Sequence, residues 1–174
     1  MNGIKGAIAL LLTLILAQGG RAAAVPKQTW QLLQATPAGF RLEFPGVVEM
    51  QEPLVLDLPT GALVLAGAIA HHENAQYVFA FGDYPQGEAS VLEHLAVLRD
   101  HMIKDTHWTL AEQRSLPFWI YPGQQFTLFS VDEMITYRFY GVGDRIYILG
   151  VLQDPRVDLK EEIAAFFGSF GIIR

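Results

Sequence analysis

Apolar residues recur at every second position along most of this chain. Phe40, Leu42 and Phe44 alternate with Arg41 and Glu43, which marks a strand with one buried face. Pro45-Gly46 ends that run. Leu54, Leu56 and Leu58 repeat the alternation over residues 53–58, and Pro59-Thr60-Gly61 turns the chain. Three later runs are apolar at odd and even positions alike: residues 62–70, residues 77–81 and residues 145–152. Strands of that kind need cover on both faces of their sheet. Residues 134–140 and 145–152 flank Gly141-Val142-Gly143-Asp144 and read as a β-hairpin. Further strands are expected over residues 108–114 and 125–131.

Two stretches switch to helical spacing. Val91, Leu95, Leu98 and Met102 fall at intervals of four, three and four within residues 88–104, one stripe of an amphipathic helix. Leu159, Ile163, Phe166, Phe167 and Phe170 do the same over residues 157–170, where Lys160, Glu161 and Glu162 are expected to face water. Asp154-Pro155 is the candidate start signal of this second helix, and Gly168 and Gly171 weaken its end. A short lead-in piece around Trp30, Leu32 and Leu33 precedes the first strand. No repeat or internal linker interrupts the mature part. The pattern predicts an α+β domain over residues 25–174: a twisted, mostly antiparallel sheet of seven or eight strands covered by helices, one after the fourth strand and one at the end.

The first 24 residues follow a different rule. Lys5 precedes an uncharged apolar run over residues 7–17, Gln18-Gly19-Gly20 breaks it, and Ala22-Ala23-Ala24 supplies small residues. This is the layout of an export signal. The run is short of the ~20 residues that span a bilayer. The expected cut is Ala24/Val25, with Ala22/Ala23 second; a retained leader would be the chain's only tie to a membrane. Lys5 and Arg21 are the leader's charges, so the rest carries 10 basic and 18 acidic side chains, a formal −8. Such an acidic body offers nucleic acid no electrostatic footprint. With no cysteine, disulfides, thiol catalysis and an acylated lipoprotein cysteine are excluded. The periplasm or the cell exterior is the expected location.

Candidate chemistry is sparse. His71 and His72 are neighbours and point to opposite faces of a strand. His94 and His101 are seven apart, too far for the i, i+4 pairing of helical ligands, and sit at the polar margin of their helix. Convergence of His72 and Glu73 with His94 or His101 is the one metal set worth testing; neither metal nor cofactor is assigned. Ser90, Ser115, Ser130 and Ser169 lack a Gly-x-Ser-x-Gly elbow. Gly141-Val142-Gly143 lies between strands, where a phosphate cradle needs a strand-to-helix step. Asp83, Asp132, Glu133 and Asp144 border turns and read as local backbone partners. No catalytic residue is assigned.

The best positive lead is Phe118, Trp119 and Tyr121, clustered beside Pro122-Gly123, which fits a type II turn. Aromatics on loops give large contact area at low entropic cost. The competing reading, favoured by how rarely Trp is spent on surfaces, folds them under a helix as core.

The order of these pieces resembles a known group. A Phe-Arg-Leu-Glu-Phe-Pro-Gly entry strand, a meander, a helix, Arg145-Ile146-Tyr147-Ile148-Leu149 and a closing Phe166-Phe167-Gly168-Ser169-Phe170 are similar to the PsbP/Mog1-like superfamily, including small exported bacterial proteins of the DcrB kind. The likeness covers about residues 38–172. It implies an antiparallel sheet between helical layers and an accessory, assembly or binding role without catalysis; the missing cysteine departs from the lipoproteins common among DcrB-like members. The expected function is therefore that of an exported, non-enzymatic accessory or binding protein whose partner is another envelope protein. Two rivals stand beside it. One is a small metal-dependent or hydrolytic enzyme. The other is a carrier of an apolar ligand in a cavity lined by Ala66, Ala68, Leu98 and Met102 or their neighbours.

Overall fold

The computed structural model describes residues 30–84, 90–104 and 106–173. The leader and the expected start of the first helix at Glu88 lie outside the described residues. Within them the chain forms β1 (Gln31–Ala35), β2 (Phe40–Phe44), β3 (Val48–Leu58), β4 (Gly61–His72), β5 (Ala75–Asp83), α1 (Val91–Ile103), β6 (Thr109–Ser115), β7 (Gly123–Phe129), β8 (Met134–Val142), β9 (Arg145–Gln153), α2 (Lys160–Ser169) and β10 (Gly171–Ile172). Seven strands make one sheet in the order β3-β4-β5-β9-β8-β7-β6, and β1-β2-β10 make a second, smaller one. Every ladder is antiparallel. The fold class is α+β.

The hairpin read from sequence sits at the middle of the large sheet. Val142 pairs with Arg145, leaving Gly143-Asp144 as a two-residue turn. Gly143 takes φ +59° there, a conformation glycine adopts freely. Asp83 and Arg145 close the neighbouring end of β5 and β9, with Arg145 Nε donating at 2.6 Å and Nη2 at 3.0 Å. Both edge strands are irregular. β3 shifts register between Gln51 and Leu54, around Pro53, and β6 does so between Leu110 and Glu112. Bulges at both rims discourage edge-to-edge pairing with another chain.

Strict alternation sends each strand's side chains to two separate cores. On one side Leu56, Leu63, Phe126, Phe139, Ile146 and Ile148 pack with Leu95, Leu98 and Met102 of α1. On the other Tyr77, Phe79, Tyr147 and Leu149 pack with Phe40, Leu42 and Phe44 of β2 and with Phe166, Phe167 and Phe170 of α2. Tyr147 and Ile148, consecutive on β9, are buried on opposite sides. Cover is thus present on both faces, as the two-sided apolar runs demand. On the α2 side it comes from a helix and a small sheet together. That cover is incomplete at one corner, where Val55 and Val64 are about half exposed.

Several local readings change. The lead-in piece is β1, held by β2, and α1 follows the fifth strand. α1 starts from a capping box: Ser90 Oγ accepts from Glu93 N–H, and the Glu93 carboxylate accepts from Ser90 N–H. His94, expected at the polar margin, is buried with its ring stacked on Tyr84. α2 begins at Lys160, because Asp154, Pro155 and Arg156 form a turn closed by Asp154 accepting from Arg156. It ends at Ser169, whose hydroxyl donates to Phe166 O and accepts from Glu43 N–H. Glu162 does not face water: it is half-buried and bonded.

Candidate functional site

The aromatic segment between β6 and β7 divides against itself. Phe118 and Tyr121 exchange both backbone hydrogen bonds at 3.0 Å, so Trp119 and Ile120 form a two-residue turn. Trp119 has φ +57°, at the position where a tight hairpin turn ordinarily places glycine. The type II turn expected at Pro122-Gly123 does not form; Gly123 instead opens β7. Phe118 turns inward against Tyr140 and Phe170, with ring centroids 5.4 Å away in each case. Trp119 stacks on the outer side of Phe118 at 5.5 Å. Trp119 is 79% exposed and Ile120 84%, so Trp119 lies on the surface and not in the core. Tyr121 is half-buried.

A second cluster gathers around Glu162, a residue that helical spacing alone places on the polar side of its helix. β4 and β5 meet in a tight turn, His72 pairing with Ala75, and Glu73 takes φ +49°. His72 and Tyr77 project to the α2 side. There Glu162, in the first turn of α2, accepts the Tyr77 hydroxyl proton and lies 3.0 Å from His72 Nδ1. Ligand atoms of His72, Glu73 and Glu162 all fall within 4.8 Å of one another. The expected convergence of His72 with His94 or His101 fails, because α1 packs on the opposite face. Burial, and then bonding to Glu162 and its negative charge, push the Tyr77 phenol well above its ordinary value. The phenol thus stays a protonated donor that orients Glu162, the arrangement that supports a ligating carboxylate from behind. One imidazole and two carboxylates suit a divalent cation of borderline character.

Hydrolytic chemistry finds no assembled set among the described residues. Ser90 caps α1 and Ser169 clasps the end of α2. Asp83 and Asp154 are held below the usual carboxylate range by hydrogen bonds from Arg145 and Arg156 respectively, Asp154 at about 2.

A third feature is a cavity of about 340 Å³ on the α1 side of the large sheet, beside β3. Ala68 borders it as the carrier reading expected, but Leu98 and Met102 do not. Among the described residues no helix is long and apolar enough to cross a membrane.

Arranged in this way, the chain matches the solution structure of cyanobacterial PsbP (CyanoP) from Synechocystis sp. PCC 6803 with a TM-score of 0.58. The fold is PsbP-like. The match covers 88% of this chain and 98% of that one, at 9% sequence identity. A protein of unknown function from Pseudomonas aeruginosa also aligns, over 80% of this chain and 92% of its own, with 17% identity and a TM-score of 0.45. No protein-family model matches the chain, and no curated protein does. At such low identity the PsbP-like likeness concerns the fold alone.

Proposed function

We propose that this chain is an exported, non-enzymatic accessory protein of the DcrB kind that binds another envelope protein through the Trp119-Ile120 turn. In this reading the leader is removed at Ala24/Val25, the mature protein works in the periplasm or outside the cell, and helical layers sandwich the sheet as in the PsbP/Mog1-like superfamily. The observation that carries it is the turn itself. Two large apolar side chains are held out in water on a backbone that costs about 1–3 kcal/mol to maintain. Strain and exposed apolar surface at one place are what a recognition tip requires, and both are relieved or used when a partner covers it. Phe118, rooted in the α2-side core, keeps the tip rigid.

A photo-crosslinking phenylalanine analogue at position 119, expressed with the native leader, tests this. The expected result is one discrete envelope adduct, lost when Ile120 is also changed to Ser. Crosslinking that is absent, or no stronger than at exposed Glu112, would contradict it.

The His72, Glu73 and Glu162 group favours a second reading, in which the protein holds one divalent cation. Equilibrium dialysis against zinc should then give stoichiometric binding that Glu162→Gln abolishes. Failure of zinc and nickel to bind stoichiometrically removes that reading.

A further inference from the structure

The cavity beside β3 has a mostly apolar wall, with Gln51 and Glu52 of β3 and Gln76 of β5 as its polar side chains. Leu54, Leu65, Ile69, Val78 and Ala80 supply hydrocarbon, and Gln76 supplies a carboxamide. Register places Gln76 opposite Leu152, a member of the α1-side core, so its side chain belongs to that face. Gln76 is 3% exposed, and among the described residues neither its Nε2 nor its Oε1 has a hydrogen-bond partner. A buried amide left in this state is costly, and native proteins pair such groups or fill the space beside them. A carboxamide offers two donor hydrogens and a carbonyl acceptor on one planar group. The group that satisfies donor and acceptor together is another planar donor–acceptor head.

We propose that this cavity binds a small neutral amphiphile, an aliphatic chain ending in a carboxamide-like head that pairs face to face with Gln76 once the Gln76 side chain, whose amide atoms are enclosed in this structure, turns toward it. The cavity lies at the small end of the ~300–1,000 Å³ range of ligand pockets. Charge disfavours the anionic relatives. No lysine or arginine is among the lining residues, so a carboxylate head at the buried Gln76 would lose its hydration with no counter-ion. The site is separate from the Trp119 turn, whose neighbour Phe118 packs on the α2-side core, so either proposal can fail alone.

Octanamide is a suitable probe for the full mature chain, followed by calorimetry and by the side-chain amide signals in a ¹H–¹⁵N spectrum. One molecule should bind saturably and move the Gln76 carboxamide pair. Gln76→Leu should weaken it about tenfold, the worth of one buried hydrogen-bond set, and octanoate at neutral pH should bind more weakly than octanamide. Gln76→Met, closer in shape, gives the same comparison should the leucine variant fold poorly. No saturable binding, unmoved Gln76 signals, equal affinity in the variants or equal affinity for octanoate would each overturn the proposal; the first two would mean that the amide stays enclosed in the core.

Discussion

The two faces of the seven-stranded sheet are made from the same strands and finished differently. On the α2 side the polar groups that reach the core are paired, except Gln153 Oε1 at the end of β9. Tyr77 donates to Glu162, His72 lies against the same carboxylate, and Tyr147 donates to Ala38 O at 2.8 Å. Aromatic rings fill the remaining space, Phe79 alone lying near Phe40, Phe81, Tyr147 and Phe170. On the α1 side a single helix serves as cover, a cavity remains beside β3, and Gln76 and His94 are buried without partners among the described residues. The small residues follow the same division of labour. Gly150 lets the Tyr137 ring lie flat on the α1 side, where an added Cβ would come within 2.6 Å of it. A protein interior tolerates unpaired polar atoms poorly. The face that keeps them is the face with room for something else.

The largest expected effect probes the finished side. Phe166→Ala removes a fully buried ring that contacts Phe44 and Tyr77, and should cost about 3–5 kcal/mol in urea unfolding. A cost below about 2 kcal/mol would mean that the aromatic side is loosely packed.

Alkaline pH comes next and tests both faces at once. Burial pushes Tyr77 on one side and Tyr137 on the other well above the ordinary value of 10.0. Their folded-state preference for the proton is fully present below pH 10 and is lost above it, because the unfolded chain ionises there while the folded one does not. Stability should therefore fall from about pH 10 upward, with tyrosinate absorbance rising in one step with loss of structure. Tyrosinate appearing early in a still-folded protein would show one of the cores to be wet.

A smaller effect separates the exposed turn from both cores. Trp119→Gly releases the left-handed strain but gives up the stacking on Phe118 and loosens the unfolded chain, so the net should be a stabilisation of up to about 1 kcal/mol. A loss of more than about 1 kcal/mol would make Trp119 a packing residue. The smallest effect is at the rim of α2. Asp154, held at about 2 by Arg156, contributes stability present above its unfolded value and lost as pH falls through about 2. Asp154→Asn should leave stability at pH 7 little changed, because the pair is exposed.

What could be read beforehand follows from the range of the forces involved. The β8–β9 hairpin was legible because alternation and Gly143 are local signals and agree. α1 was legible from the stripe of Leu95, Leu98 and Met102. Glu162 was misread because helical spacing alone puts it beside Lys160 and Glu161 on the polar side; its partner His72 is 90 positions away. The turn at Trp119 was hidden by Pro122-Gly123, the stronger local turn signal, and only the Phe118–Tyr121 bridge reveals it. β1 and β10 leave no strand signal in the sequence, because one is mostly exposed and the other has two residues. Gln76 carried no signal. A polar residue beside Asn74 and Ala75 reads as the edge of a turn, and its burial depends on strands far along the chain.

The contrast between the faces is most directly tested on two neighbouring residues of β5 that point opposite ways. Gln76→Leu and Tyr77→Phe each remove a buried polar group without opening a large hole. Urea unfolding should show Gln76→Leu raising stability by about 1–2 kcal/mol, since an unpaired amide is replaced by hydrocarbon, and Tyr77→Phe lowering it by about as much, since Glu162 loses its donor. Both variants losing stability alike would contradict the account, because Gln76 would then be as well satisfied as Tyr77.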